Sequence, residues 1–141
     1  MSVYTDSTGL WNYTESGGSA TIGTGGGWQE PGNATTLGTS LSGAITIPET
    51  VDGYTVTGID GHAFFQCTNL TSIDLSGTQV TTIGRVAFGE CFGLTSIDLP
   101  NSLTTIVEFA FAQCSSLETI DLPNSLTTID YKACARCSNL T

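Results

Sequence analysis

Cysteine is the residue type whose spacing in this sequence most directly suggests chemistry, and the chain holds five. Cys134 and Cys137 form a C-x-x-C pair, a spacing that suits a local disulfide or two ligands of a metal ion. A metal site is not expected, because no second ligand pair accompanies them. The candidate disulfide is therefore Cys134–Cys137.

Four of the cysteines recur at steps of 24, 23 and 23 residues, and they are Cys67, Cys91, Cys114 and Cys137. Side chains at equivalent positions of a repeat point the same way, whereas a disulfide needs two side chains that turn toward each other. We therefore expect these four residues to be buried thiols that act as small hydrophobic groups.

Aspartates recur with the same period, at Asp74, Asp98 and Asp121. On adjacent strands their carboxylates would lie about 4.8 Å apart, and a hard cation could relieve the repulsion between them. Calcium usually takes six or more oxygen ligands, however, and only hydroxyl groups stand nearby in the sequence. We therefore favour a solvated acidic face that serves recognition. Its candidate residues are Ser72, Asp74, Ser96, Asp98, Thr119 and Asp121.

Catalytic machinery is not apparent in the sequence. His62 is the only histidine, and we expect it at the exposed start of a helical turn. No serine, cysteine or carboxylate has a spacing that implies a catalytic triad with it. The glycine-rich segment 23–27 lacks the lysine of a phosphate-binding loop. We therefore expect a protein that is not an enzyme and that holds no cofactor.

Charge excludes two classes of partner. The formal net charge is −10, and the chain has only three basic side chains. Nucleic acid is not expected as a partner, because binding to phosphates needs Lys and Arg, and an anionic membrane would repel the chain. No apolar run approaches the ~20 residues of a membrane span, and no signal peptide is visible. The chain that begins at Met1 is then an intracellular or virion protein, or a processed or partial product.

The elements that position these residues follow from a longer repeat. The decapeptide IDLPNSLTTI occurs at 97–106 and again at 120–129. Around it, apolar columns keep the same register as the cysteines. They include Ile59, Ile83, Ile106 and Ile129; Ala63, Ala87, Ala110 and Ala133; and Phe64, Phe88 and Phe111, with Cys134 in the fourth place. We number the four repeats by the four alanines.

Each repeat predicts short elements that cannot fold alone. Residues 94–100 end in alternating apolar and polar residues, which predicts a strand with one buried face. Residues 103–106 predict a second extended segment, and the apolar spacing in 107–114 predicts a short helix or 3₁₀ turn. Burial of about eight apolar side chains, at roughly 2 kcal/mol each, does not offset the ~1–2 kcal/mol per residue that ordering one repeat costs. The repeats must therefore stack into a solenoid.

The motif L-x-x-I-x-L-P-x-S-L-T-x-I-x-x-x-A-F-x-x-C resembles the BspA-like class of leucine-rich repeats, and the resemblance covers 54–141. It implies a mainly β, right-handed solenoid with parallel strands. It also implies a surface or secreted protein, of the kind described as adhesins or host-binding proteins, without catalytic residues. The chain departs from the motif at Cys134, where Phe is expected, and at 76–79, where Pro is missing and one residue is added.

The two ends of the chain differ from the repeats. Residues 1–53 are rich in glycine and hold short β-like stretches, so we expect an N-terminal β-rich cap with Trp11 and Trp28 over the first coil. A flexible linker is the alternative. Residues 54–141 hold the repeats, and the last one is incomplete. Either the chain is a fragment of a longer array or frays at its end, or another copy docks there head to tail, as in a filament.

Four Asn-x-Thr sequons mark candidate N-glycosylation sites at Asn12, Asn33, Asn69 and Asn139. They carry meaning only if the protein is secreted by a eukaryote. Altogether the sequence predicts a non-catalytic structural and adhesion protein located outside the cell, on the cell surface or on a virion. Its partner is expected to be a second copy, reached through the solenoid ends, or a surface protein or glycan, reached through the acidic strand face.

Overall fold

A computed structural model describes residues 2–6, 9–24, 29–35 and 37–140, with side chains described from residue 11 onward. The prediction for Trp28 falls outside these residues. The described chain is built of short strands joined by turns and includes a 3₁₀ turn at Gly38–Ser40. The strands are β1 Ser2–Asp6, β2 Gly9–Ser16, β3 Ser19–Ile22, β4 Ser42–Thr46, β5 Thr50–Val51, β6 Tyr54–Ile59, β7 Asn69–Asp74, β8 Thr82–Ile83, β9 Ser96–Asp98, β10 Thr105–Ile106 and β11 Thr128–Ile129.

The larger sheet runs along the whole solenoid in the order β1-β2-β3-β6-β8-β10-β11, with β5 paired to β6. From β3 onward the strands of this path are parallel, one from each coil. Ile59 pairs with Ile83, Ile83 with Ile106, and Ile106 with Ile129. The predicted stack of parallel coils is therefore confirmed, with the isoleucines in one continuous row.

The second sheet has the order β4-β7-β9 and is also parallel. Ile45, Ile73 and Ile97 pair across it and form another buried row. Apolar residues such as Ile59, Ile73 and Ile97 thus enter the core between the two sheets, whereas both residues of β11 are exposed. On β7 and β9, the residues that flank Ile73 and Ile97 belong to the acidic strand face; they are Ser72, Asp74, Ser96 and Asp98.

Part of the N-terminal region belongs to the same sheets. Strand β3 places Ile22 beside Ile59, and β4 places Ile45 beside Ile73. The β1–β2 hairpin extends the larger sheet beyond β3. Trp11 is fully buried, and its ring meets Phe64 edge-on at 6.3 Å, so it covers the first repeat as predicted. The boundary at residue 53 stays a prediction.

The segment predicted as a short helix forms consecutive turns instead. In every repeat the residue before the column alanine has a positive φ, as at Val86 (57°) and Phe109 (59°). The residue three positions after that alanine does too, as at Glu90 (55°) and Gln113 (62°). A left-handed residue ends a right-handed helix. The turns persist because their N–H groups bond to the next coil, as Phe88 N does to Ala110 O at 2.7 Å.

Aromatic rings form the centre of the core. Phe64, Phe88 and Phe111 are fully buried and stack almost parallel, with centroids 5.0 and 5.3 Å apart. Each ring lies over the ring of the neighbouring coil, because the phenylalanine column keeps one register. The stack ties the turn segments of three coils together.

Candidate functional site

The acidic strand face consists of Ser72, Asp74, Ser96, Asp98, Thr119 and Asp121. Strand pairing puts Ser72 beside Ser96 and Asp74 beside Asp98. Thr119 and Asp121 are exposed but lie outside any assigned strand. Within the described chain, the structure therefore aligns four of the six candidate residues on a sheet and adds the other two at its end.

The aspartates of this face have different surroundings. Asp74 accepts hydrogen bonds from the backbone N–H and the hydroxyl of Ser76, at 2.8 and 2.6 Å, and thereby holds the turn after β7. Asp98 and Asp121 line one shallow cavity of about 460 Å³, with Asn101 at its edge. The carboxylates at the end of the face are thus the ones that a partner can reach most easily.

The threonines beside this face are structural. Thr81, Thr104 and Thr127 each donate both N–H and hydroxyl to the carbonyl of the threonine in the preceding coil, with hydroxyl distances of 3.1–3.3 Å. Thr95 does the same to Thr71 at 3.0 Å. These bonds join neighbouring coils outside the sheets. Only the stacking of the coils shows that these hydroxyls are engaged.

The cysteines of the repeat form a ladder of thiols. Cys91, Cys114 and Cys137 donate S–H to the carbonyls of Phe64, Phe88 and Phe111, at 3.0–3.1 Å. Cys67 reaches the carbonyl of Gly38 at 3.8 Å. The thiols are therefore hydrogen-bond donors as well as hydrophobic groups. The sequence alone did not reveal this role, because the acceptor is a carbonyl group of the preceding coil.

Burial makes these thiols unreactive. Desolvation raises the pKa of Cys67 to about 12. The pKa of Cys114 is also raised. Its hydrogen bond with Cys137 is the largest single influence and lowers the pKa, but the hydrogen bond with Cys91 and burial raise it. Because the thiolate is the nucleophile and the metal ligand, Cys67 and Cys114 are poorly suited to either task.

The candidate disulfide pair lies in the last coil. Cys134 and Cys137 are partly buried, and both are free thiols in this structure. The hydrogen bond with Cys114 chiefly raises the pKa of Cys137, to about 11, and the hydrogen bond with Cys137 raises that of Cys134. A bridge would remove the S–H that Cys137 donates to Phe111. The Cys134–Cys137 disulfide stays a prediction.

His62 is buried, contrary to the expectation of an exposed position. Its side chain is 6% exposed, and its ring meets Phe65 edge-on at 5.5 Å. Burial, followed by the charge of Arg85, lowers its pKa. The prediction of an exposed position was wrong because His62 does not begin a helix. It lies in a turn with a positive φ, and its ring packs against Phe65.

Two of the four sequons are enclosed. Asn12 and Asn33 are 7% and 5% exposed, and the Asn12 amide donates to the carbonyl of Asn33 at 3.0 Å. A glycan on either side chain has no room in this fold, so these two candidates are corrected. Asn69, the first residue of β7, and Asn139, in a turn, are exposed, and their glycosylation stays a prediction.

Two searches of the described chain are negative. Over residues 11–24, 29–35 and 37–140, no three His, Cys, Asp or Glu side chains are grouped to hold a metal ion. The same residues contain no helix that is long and apolar enough to cross a membrane.

Solved structures of bacterial proteins resemble this chain. A leucine-rich repeat protein of T. pallidum is 29% identical with a TM-score of 0.72 over 89% of this chain, which spans about half (53%) of that protein. One from Bacteroides capillosus ATCC 29799 is 30% identical with a TM-score of 0.70, and the match covers 94% of this chain and 90% of that one.

A third, from Bacteroides ovatus ATCC 8483, is 25% identical with a TM-score of 0.53, and covers 92% of this chain and 38% of its own. A search of curated proteins found no match. The family model for the BspA type leucine-rich repeat region matches residues 38–141 with six copies. The chain therefore belongs to the BspA-type leucine-rich repeat family.

Proposed function

We propose that this chain is a non-catalytic recognition and adhesion module, displayed outside the cell, on the cell surface or on a virion. Proteins with BspA-type repeats are typically surface proteins, which supports the location. The observation that carries the recognition role is the acidic strand face, where outward side chains recur once per coil on a rigid sheet.

A basic surface of a partner protein suits this face best. Strand pairing sets the backbones that carry Asp74 and Asp98 about 4.8 Å apart, so a partner that presents several Lys or Arg side chains meets more than one carboxylate at once. Asp98 and Asp121 share a cavity, which allows a long cationic side chain to enter between them. Rigid positioning reduces the entropy that binding costs.

The test compares charge removal on and off this face. The purified chain is passed over immobilised extracellular proteins that span a range of isoelectric points. The triple variant Asp74→Asn, Asp98→Asn, Asp121→Asn should bind the basic members about 3- to 100-fold more weakly, since each exposed charge pair contributes about 0.2–1 kcal/mol. A control with Glu15→Gln, Glu49→Gln and Asp130→Asn, all exposed, removes the same charge elsewhere.

The control should keep its binding. Equal weakening of the two variants would reduce the effect to net charge and refute the face. Absence of binding to every basic protein in the set would refute the recognition role itself.

End-to-end assembly is the second candidate, and exposed apolar side chains favour it. On the last coil Leu122 is 47% and Ile129 50% exposed. At the other end, β4 forms the edge of the second sheet. Docking of one end on the other would add a parallel strand and bury these side chains, and repeated docking would build a filament.

Light scattering and negative-stain microscopy at rising concentration test this candidate. The wild-type chain should form elongated particles, and the variant Leu122→Lys, Ile129→Lys should remain monomeric. A wild-type chain that stays a monodisperse monomer at high concentration would contradict assembly and leave recognition in place.

A further inference from the structure

A groove crosses the turn segments on a different surface from the acidic strand face. It consists of two adjoining cavities of about 180 and 440 Å³, which share Phe109, Ala112 and Gln113. Small residues make its floor, one in each of the second to fourth repeats: Gly89, Ala112 and Ala135. We call it the turn-face groove.

Left-handed residues form both walls of the turn-face groove. One wall holds Val86, Phe109 and Lys132, with φ of 57°, 59° and 54°. The other holds Glu90, Gln113 and Arg136, with φ of 55°, 62° and 60°. In the first repeat the floor position is Phe65, which is 4% exposed and leaves no space there.

The charge of the turn-face groove is opposite to that of the chain. The chain has three Lys and Arg residues against thirteen Asp and Glu, and all three basic residues, Arg85, Lys132 and Arg136, line this groove. Arg85 is paired with Glu108 at 3.3 Å, the one ion pair found among the described residues. Lys132 and Arg136 are exposed and have no carboxylate within ion-pair distance there.

The acidic side chains in and beside the walls, Glu90 and Glu108, already bond to other side chains of the protein. Glu90 accepts hydrogen bonds from the amides of Gln66 and Gln113, at 3.1 and 3.4 Å. Since Glu108 faces Arg85, the two cations of the fourth repeat are left to attract an anion from outside. Guanidinium and ammonium groups bind carboxylates by charge-assisted hydrogen bonds.

Recognition in the turn-face groove must come from side chains. In the second and third repeats, backbone N–H groups of the walls bond to the next coil: Glu90 N to Ala112 O at 2.8 Å, and Gln113 N to Ala135 O at 2.7 Å. An extended peptide that adds to a surface uses free backbone donors and acceptors, which the N–H groups of Glu90 and Gln113 do not offer. Amide, carboxylate and guanidinium groups suit a ligand with many hydroxyls.

The exposed ring of Tyr131 stands at the cationic end of the groove, beside the partly buried Phe109. Tyr131 is 66% exposed, its ring lies 6.3 Å from that of Phe109, and Lys132 Nζ lies 4.7 Å from its centre. A sugar ring has one apolar face that can cover such a ring, and its substituents can reach the polar wall.

We infer that the turn-face groove binds an acidic oligosaccharide, whose carboxylate pairs with Lys132 and Arg136 while a sugar ring lies against Tyr131. Its hydroxyls bond to the Glu90–Gln113 wall. The site is independent of the acidic strand face, and either can fail without the other.

Isothermal titration with defined oligosaccharides tests the inference. The probes are tetramers that carry uronic or sialic acid, uncharged cellotetraose, and pentaglutamate as an acidic peptide. We expect an acidic tetramer to bind, and the other two to bind about tenfold more weakly or not at all. The variant Lys132→Gln, Arg136→Gln should lose about tenfold or more, since a hydrogen bond to a charged group contributes about 1.5–3 kcal/mol.

Two further variants make the result specific. Tyr131→Ala should weaken binding severalfold, whereas Ser42→Glu, Thr46→Glu, which adds the same change of net charge on β4, should bind almost as the wild type. All the altered side chains are exposed, and circular dichroism verifies folding. Binding of no acidic tetramer, an unchanged Lys132, Arg136 variant, or tighter binding of pentaglutamate would overturn the inference.

Discussion

Single residues mark the places where neighbouring coils come closest. A methyl group on Gly84 would lie 2.6 Å from the backbone nitrogen of Gly61 and 2.8 Å from the carbonyl oxygen of Ile59. Backbone atoms of an adjacent coil cannot move aside as a flexible side chain does. The absence of a side chain at position 84 is therefore a condition for the spacing of the first two repeats.

Gly84→Ala should destabilise the protein by about 1–3 kcal/mol, the usual cost of overpacking. Gly77→Ala is the control, because nothing lies within 4 Å of its new methyl group. Urea denaturation measures both. An equal effect of the two substitutions would show that the coils are not in close contact at Gly84.

Buried thiols make the stability of the fold depend on pH in the alkaline range. The pKa of Cys67 is raised from 9.0 to about 12, so folding favours the protonated thiol. Its contribution to stability is complete below pH 9.0 and is lost as pH rises toward 12. Cys67→Ala removes this contribution to stability. The difference in unfolding free energy between wild type and variant should therefore become smaller as the pH rises from about 8 to about 10.5. A constant difference would contradict the raised pKa.

Elements hold together through the phenylalanine stack. Phe88 lies between two parallel rings, whereas Phe92, four residues later, is 43% exposed. Phe88→Ala should cost about 3–5 kcal/mol in unfolding free energy, and Phe92→Ala much less. Chemical denaturation of both variants measures this, and comparable losses would place Phe88 outside the core.

Sequence periodicity predicted the strands better than the turns. The isoleucine and leucine columns could come only from alternating segments buried on one face, so both strand segments of a repeat were predictable. The turn segment was not, because Val86 and Phe109 rarely adopt a positive φ, and hydrogen bonds to the next coil impose it. The N–H of Ala34 bonds to the carbonyl of Ala63 in the same way as the N–H of Phe64 bonds to that of Ala87, so this contact between coils extends into the N-terminal region. The sequence did not predict it, because the repeat motif is absent around Ala34.

Candidate site residues were predictable to a similar degree. The period alone aligned Asp74 with Asp98, because equivalent positions in a repeat share a face. The turn-face groove was not predictable, since its walls depend on the left-handed backbone. Burial of Asn12 and Asn33 was hidden as well, because a sequon says nothing about the packing of its surroundings.

At the scale of the whole molecule, each coil supplies a wall of the next one. Two sheets, the phenylalanine stack, the thiol ladder and the threonine bonds all repeat with the same period. This single register places the recurring aspartates on the acidic strand face and the three basic side chains on the turns. Both proposed surfaces depend on it.

NOE contacts between isoleucine δ1 methyl groups test this register most directly, in protein labelled only at those methyls. Cross-peaks should join Ile59 to Ile83, Ile83 to Ile106 and Ile106 to Ile129, since paired strands lie about 4.8 Å apart. No cross-peak should join Ile59 to Ile129, which are three coils apart. Absence of the three sequential cross-peaks, or a direct one between Ile59 and Ile129, would contradict the stacked solenoid.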